Sequence, residues 1–424
     1  METIFALSSG SPPAGIAVIR ISGPKAADAL ASLAGSLPGP RRASFRIFRD
    51  QEGCTLDSGL ALWFPGPETA TGEDLAELHL HGGRAVVAAV EAALAALPGM
   101  RRARPGEFTR RAFANGRIDL AEAEGLADLL AAETEWQRRA AMELSSGAFS
   151  ARLEEWRLRL LGLAAEVEAV LDFDDEGDVA GLGDDFAGRA GELAGEIADA
   201  ADAPRAEALR EGFRVALAGP PNAGKSTLFN ALVESEAAIT SPTAGTTRDV
   251  IERAVALGGA PFTFVDMAGL REVGTEEIET IGIERARGEL GRADLVLWLG
   301  PEGEGPPGAW EVEAQADRAD HDVKAKPRCR VSAVTGEGIA ELRAALVEEA
   351  RGAMQAPGKT ALHLRQRELL GGAAAALRCA GEQSDPLVIA EHLRQARLGF
   401  DALVGRSATE DMLDALFGRF CIGK

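Results

Sequence analysis

Hydrophobic positions change their rhythm along this 424-residue chain. From Thr3 to about Asn115, short apolar runs (Ile16 to Ile21, Leu60 to Phe64, Leu75 to Leu80) alternate with Gly/Pro turns, with one helical stretch from Ala85 to Leu97. Runs of that length bounded by turn residues predict strands, and a helix among them makes the region α+β. From Asp119 to Leu171 the period becomes helical. Leu153, Trp156, Leu160, Leu163, Val167 and Val170 recur at intervals of three and four, which puts them on one helix face. The acidic run Asp172, Asp174, Asp175, Glu176 and Asp178, with Gly177 and Gly181, reads as a solvated connection rather than a metal site. A further helix is expected from Phe186 to Leu209.

From Phe213 the pattern changes again. Apolar runs at Phe213 to Ala218, Phe262 to Val265, Leu295 to Leu299 and Arg328 to Val331 each feed a loop, with helical stretches between them. That alternation predicts a parallel sheet with helices on both faces and ligands at the carboxyl ends of the strands. Gly300 to Gly308 reads as a loop, and helices return after about Gly352, including Leu362 to Leu377 and Pro386 to Val404. The expected architecture is therefore multidomain, α/β and α+β. An α+β domain spans 1–116, a helical domain spans 117–210 and resumes at 353–424, and an α/β domain, 211–352, is inserted into it.

Charge narrows the function classes. The formal net charge is −21, which argues against a broad phosphate-neutralising face, so any RNA contact has to be local or supplied by a partner. Cys54, Cys329, Cys379 and Cys421 lie far apart without metal-ligand spacing, and a reducing cytoplasm is expected rather than a disulfide framework. The opening METIFALSSGSPPAG has no basic segment ahead of a long apolar run. No run approaches the roughly 20 residues that span a bilayer, so neither a signal peptide nor a membrane span is expected.

Candidate chemistry concentrates in the α/β region. GPPNAGKST, Gly219 to Thr227, fits G-x-x-x-x-G-K-[ST] between an apolar strand and a helical stretch, the context a phosphate-binding loop requires. Gly219 and Gly224 allow the tight wrap. Asn222, Ala223, Gly224, Lys225, Ser226 and Thr227 are the expected nucleotide-binding residues, with Lys225 on the β- and γ-phosphates and Ser226 on Mg²⁺. TAGTTRD, Thr243 to Asp249, reads as a switch loop whose Thr247 completes the Mg²⁺ shell. DMAG, Asp266 to Gly269, follows a strand, with Asp266 reaching the metal through water and the Gly269 N–H reaching the γ-phosphate. Three such segments in order point to a P-loop GTPase. VSAVTGEG, Val331 to Gly338, supplies Ser332 and Ala333 around the base. The guanine-reading N-K-x-D motif is not intact. Asp317-Arg318-Ala319-Asp320 is the nearest candidate, with Asp320 accepting from guanine and Arg318 stacking over it, the alternative being a surface charge cluster. Leu270 follows D-x-x-G where small signalling GTPases carry glutamine, so another group must orient water.

Segments outside this region resemble one family. IAVIRISG (Ile16 to Gly23), TGEDLAELHLHGG (Thr71 to Gly83), RPGEFTRRAFANGRIDLAEAEGLADLL (Arg104 to Leu130) and the final FCIGK (Phe420 to Lys424) are similar to the MnmE, or TrmE, family of tRNA modification GTPases. The resemblance implies an amino-terminal folate-binding and dimerising domain, a discontinuous helical domain and an inserted GTPase. It implies a homodimer that works with the flavin-dependent partner MnmG (GidA) on tRNA. Together they add an aminomethyl or carboxymethylaminomethyl group at C5 of the wobble uridine, using 5-formyl- or methylene-tetrahydrofolate. Carried over by motif, Arg20, Glu77, Arg117 and Lys424 contact the folate and Cys421 is a functional thiol. Asn222 ligates a K⁺ ion that stands in for an arginine finger, with Ser241, Thr243 and Thr246 adding oxygens, and Glu279 orients water.

The residues alone leave other readings open. Arg20, Glu77, Arg117 and Lys424 also suit surface salt bridges, Glu279 suits a helix-cap acid, and Cys421 suits a small buried hydrophobe. Arg117 stands where the family often has lysine, Met267 replaces a threonine, and Gly300 to Arg328 is short. The rival functions are a ribosome-assembly or RNA-binding GTPase switch, which predicts a basic appendage, and a non-hydrolysing folate-binding scaffold.

Overall fold

The computed structural model describes residues 2–172, 182–233, 251–267, 288–354 and 360–424. These form two compact units. One comprises Met1–Ala127, Ser145–Glu155 and Phe400–Lys424; the other comprises Asp128–Leu144 and Trp156–Gly399.

In the first unit, six strands form one sheet: β1 (Thr3–Leu7), β2 (Ala14–Ser22), β3 (Ser44–Arg49), β4 (Thr55–Phe64), β5 (Leu75–Gly82) and β6 (Met100–Arg102), in the order β3-β4-β5-β2-β1-β6. All neighbours are antiparallel except β1 and β6. Side chains alternate between faces along a strand, and the sequence uses that period. Ala17, Ile19, Ile21, Ala61, Trp63, Ala76 and Leu78 are buried with Leu30 and Leu33 of α1 (Ala26–Ala34) and Val90 and Leu94 of α2 (Arg84–Ala95). A second cluster places Ile4 and Ala6 with Phe108 of α3 (Glu107–Ala114). The helix Glu410–Phe417 packs Leu416 and Phe417 beside Leu120 of α4 (Leu120–Ala131). Arg110 pairs with Glu410 and with Asp414 at 2.5 Å. Beyond that helix, Gly423 lies so close to the Leu7 carbonyl that a Cβ would fall 2.1 Å from it, and the Ser8 hydroxyl donates to the Gly423 carbonyl at 2.8 Å. Only glycine fits there at φ 101°.

The second unit joins helices to another six-stranded sheet. In α5 (Glu135–Ser145) the Trp136 N–H donates to the Gly259 carbonyl, and its side chain joins the core of that sheet. The expected helical face along α6 (Ala148–Asp172) buries Leu153, Trp156, Leu160, Leu163 and Val167. The helix expected from Phe186 to Leu209 is two, α7 (Phe186–Ala201) and α8 (Ala206–Glu211). Pro204, which has no N–H to donate, stands in the break, and its carbonyl accepts from Leu362 N–H instead. The acidic residues Asp174, Asp175, Glu176 and Asp178 lie outside the described residues.

The sheet contains β7 (Phe213–Ala218), β8 (Ile251–Leu257), β9 (Ala260–Asp266), β10 (Leu295–Trp298), β11 (Trp310–Glu313) and β12 (Cys329–Arg330), ordered β12-β11-β10-β7-β9-β8. Only β8 is antiparallel to its neighbour. Helices α9 (Lys225–Val233) and α10 (Ile339–Met354) bury Leu228, Leu232, Leu342 and Leu346 in its main core. On the other face Leu290 covers Ala216 and Val265. The expected helical cover stops there. Residues 299–309 and 314–328 join β10, β11 and β12 without a helix, because β11 reads Trp-Glu-Val-Glu. Its alternation presents Glu311 and Glu313 to the face a helix would otherwise cover. Lys324 answers Glu311 at 2.5 Å, and His321 answers Glu313 at 3.0 Å.

Helices follow this sheet to the end of the unit: α11 (Leu364–Glu382), which packs along α7, and α12 (Pro386–Leu403).

Candidate nucleotide site

β7 delivers the chain into Gly219 at φ 153°, where a Cβ would meet the Gly300 N–H at 3.2 Å. Asn222 holds φ 63° and Gly224 φ 87°. Asparagine is among the few non-glycine residues that tolerate the left-handed region. The motif thereby wraps into α9, whose N-terminus suits an anion. The ammonium of Lys225 is held over the loop by the Gly219 and Pro220 carbonyls at 3.0 and 2.8 Å. Next along, the Ser226 hydroxyl donates to Asp266 at 2.7 Å. Asp266 ends β9 beside Leu217 of β7 and is buried. A hydroxyl and a buried carboxylate side by side are hard oxygen donors, so this pair fits Mg²⁺. Asn222, Gly224, Lys225, Ser226 and Thr227 line one cavity with Met267 and Arg318.

A second cavity of about 210 Å³ adjoins Gly224 and Thr227 and is lined by Asp317, Ala333 and Val334. Ser332 is buried and donates its hydroxyl to Asp317 at 2.6 Å. Gln315 lies between this cavity and the phosphate loop. Its amide donates to the Asn222 carbonyl at 3.0 Å, and its stem lies where a Gly224 Cβ would come within 3.2 Å. The geometry thus aligns Ala314, Gln315, Ala316 and Asp317 with N-K-x-D. Asp320, the residue chosen from sequence, has its carboxylate paired to Arg318 at 3.1 Å and 73 % exposed. It lines a different cavity, with Pro221 and His321. The cavity beside the phosphate loop is therefore lined by Asp317 and not by the expected Asp320. Ala314 and Gln315 had erased the motif's first two letters, leaving Asp317-Arg318-Ala319-Asp320 as a decoy. The remaining signal was positional: Asp317 comes four residues after the end of β11.

Ser241, Thr243, Thr246, Thr247, Gly269 and Glu279 lie outside the described residues. Of the expected K⁺ ligands only Asn222 is described, among the residues lining the phosphate cavity.

Comparison with known proteins bears on the whole chain. The model of the MnmE helical domain matches residues 120–421, and that of the GTP-binding protein TrmE N-terminus matches residues 3–117. The tRNA modification GTPase MnmE of Novosphingobium aromaticivorans is 62 % identical over 436 residues, covering all of both chains. Its counterpart in Erythrobacter litoralis is 60 % identical over 424 residues, again covering both completely. This chain belongs to the MnmE family of tRNA modification GTPases.

The residues that an MnmE protein is expected to devote to folate lie in the first unit. Arg20 and Glu77 are cross-strand neighbours on β2 and β5, joined at 2.9 Å, with the guanidinium 5.9 Å from the Phe108 ring. His79 approaches the other Glu77 oxygen at 3.4 Å. Arg117 sits against Gly72, whose Cβ would come 3.2 Å from it. Lys424 N–H donates to the exposed Cys421's carbonyl at 3.2 Å. The structure joins Arg20 to Glu77 directly. Among the described residues, no helix is long and apolar enough to cross a membrane.

Proposed function

We propose that this chain hydrolyses GTP to drive modification of the tRNA wobble uridine at C5. On this reading a cytoplasmic homodimer works with a flavin-dependent partner of the MnmG type and a tetrahydrofolate one-carbon donor. The observation that carries the reading is the pairing of a phosphate-loop site, Lys225 with Ser226 and Asp266, with a base pocket built on Asp317 and Ser332. Asp317 accepts from the guanine edge while Ser332 fixes its carboxylate. Such a carboxylate discriminates guanine from adenine, whose exocyclic amine and unprotonated ring nitrogen present a different donor pattern.

Ser226 and Asp266 supply the donors for Mg²⁺, which when bound neutralises charge on the phosphates. Lys225 adds its own charge there. Asn222 supports a K⁺ requirement, because it holds a left-handed backbone conformation and lines the phosphate cavity. Thr247 for Mg²⁺, Ser241, Thr243 and Thr246 for K⁺, Gly269 on the γ-phosphate and Glu279 for water complete the reading from motif alone. Arg20, Glu77, Arg117 and Lys424 are proposed for folate and Cys421 as a functional thiol.

GTP and ATP hydrolysis measured in KCl and in NaCl tests the proposal. Faster turnover of GTP in KCl is expected, and equal rates in both salts would remove potassium from the account. Nucleoside analysis of tRNA from cells lacking the gene should show undermodified wobble uridines; an unchanged profile would refute the pathway.

A further inference from the structure

The stretch 314–328 carries Gln315 and Asp317 without a helix to lie on, and buried charge at the end of β11 holds it. Glu313 is 5 % exposed. One of its carboxylate oxygens accepts from His321 Nε2 at 3.0 Å and faces Arg330 Nε at 3.4 Å. The other accepts from the Lys324 N–H at 3.1 Å. Lys324 turns its ammonium elsewhere, to the Trp298 carbonyl at 2.9 Å and to Glu311. Burial opposes the Glu313 charge, but hydrogen bonds from His321 and the Lys324 N–H, with the charges of His321 and Arg330, hold its carboxyl below the ordinary carboxylate range. On its other side the His321 ring brings Nδ1 to 2.6 Å from the Arg318 carbonyl. A carbonyl and an ionised carboxylate can only accept, so both ring nitrogens donate and the ring is an imidazolium. The charged groups facing it are Glu313 of β11, Arg330 of β12 and Asp320 of its own loop. Hydrogen bonding to Glu313, then to the Arg318 carbonyl, raises its pKa above the ordinary imidazole value, against burial and Arg330.

That cation stands on the loop that shapes the base pocket. Arg318, whose carbonyl it holds, follows Asp317 directly, and the Arg318 N–H donates to the Gln315 carbonyl at 2.9 Å. Gln315 in turn donates to the Asn222 carbonyl, and Asp317 accepts from Ser332. His321 therefore closes the turn that presents Gln315 and Asp317, tying it back to the strand it leaves. We propose that His321, as the imidazolium, is a positioning residue for nucleotide recognition: bridging Glu313 to the Arg318 carbonyl, it holds Asp317 where guanine meets it. It acts through the loop rather than on the nucleotide. The inference rests on the Asp317 reading above and adds a pH dependence to it. A group whose folded pKa is raised contributes in full below its ordinary value and loses that contribution as pH rises through the raised one. The loop is therefore held most firmly below about pH 6.5 and is released at higher pH.

Steady-state kcat and KM for GTP, measured on the full chain at fixed KCl and MgCl2 from about pH 6 to about pH 9, test it. His321→Arg, whose guanidinium keeps several donors and does not titrate, is the reference. Dividing by it removes the titration of the nucleotide itself. Relative to that variant, wild-type KM is expected to rise about tenfold across the range, with kcat within about twofold. His321→Gln offers one donor nitrogen in place of two, without charge, so its KM should be about tenfold higher than that of His321→Arg at every pH. In an Asp317→Asn chain, His321→Gln should add little further to KM, because the two act through one contact. A flat wild-type ratio, or wild-type KM in His321→Gln, would overturn the role of His321 while leaving Asp317 as the guanine reader if Asp317→Asn still raises KM. Equal increments from His321→Gln in both backgrounds would overturn it too, since His321 would then act elsewhere than on Asp317. A loss in His321→Arg as large as in His321→Gln would assign the effect to ring packing and overturn the role of charge. An Asp317→Asn chain with wild-type KM for GTP would instead remove the base reading itself, and the role of His321 with it.

Discussion

The two six-stranded sheets carry their chemistry in different places. In the first unit one face of the sheet is buried under α1 and α2, and the opposite face, covered at β1 by Phe108 of α3, keeps Arg20, Glu77, His79 and the exposed Phe45. In the second unit the central strands are buried on both faces. Val215, Ala216 and Leu217 of β7 and Phe262, Phe264 and Val265 of β9 have no exposure. Chemistry there emerges only where strands end, at Gly219 after β7, at Asp266 closing β9, and at Asp317 after β11. An antiparallel sheet with one open face offers a surface, whereas a buried parallel sheet offers a row of tips.

That contrast predicts effects of different kinds. At the tips, single side chains decide activity without deciding the fold. Lys225→Ala should lower GTP hydrolysis about 100-fold or more while the folded state persists, read by steady-state turnover and circular dichroism. Hydrolysis above a tenth of wild type would mean that charge at the strand end matters less than the fold implies. Within the two-sided core, Phe264→Ala should cost about 3–5 kcal/mol in urea unfolding. Phe45→Ser on the open face should stay within about 0.5 kcal/mol. A comparable loss at Phe45 would show that its face is covered.

An effect smaller than that of Phe264→Ala, and dependent on pH, concerns the join between β6 and α3. Burial disfavours the Glu107 carboxylate, but hydrogen bonds from Arg101 and the Arg104 N–H, with the charges of Arg101 and Arg111, bring its pKa down from 4.5 to about 2. A depressed carboxylate stabilises the fold above its unfolded pKa, and that contribution is lost as pH falls toward about 2. Glu107→Gln should therefore cost about 1–2 kcal/mol at neutral pH, allowing for screening, with the difference from wild type shrinking below the unfolded pKa and closing near about pH 2. A gap that does not depend on pH would assign the loss to packing instead.

Much of this was readable in advance. Phe213–Ala218 is a strand at the expected residues, because an unbroken apolar run bounded by Gly212 and Gly219 admits few alternatives. GPPNAGKST names its own conformation through glycines at fixed offsets. β11 escaped notice because Trp310-Glu311-Val312-Glu313 alternates, a pattern unlike the apolar runs sought for a parallel sheet. Asp317 was misplaced for the same reason, since its position is defined by where β11 ends. The strap of Gly423 against Leu7 could not be read either, because it depends on two segments 415 residues apart at the Ser8–Gly423 hydrogen bond.

The central claim is that Asp317, three residues ahead of the Asp320 chosen from sequence, reads guanine. Substituting Asp317→Asn and comparing kcat/KM for GTP and xanthosine triphosphate tests it most directly. Asparagine presents a donor where the carboxylate accepted, so preference should swing from GTP toward the xanthine nucleotide by about 100-fold or more, while Asp320→Asn leaves it unchanged. A GTP preference that survives Asp317→Asn, or one that is lost in Asp320→Asn instead, would contradict the account.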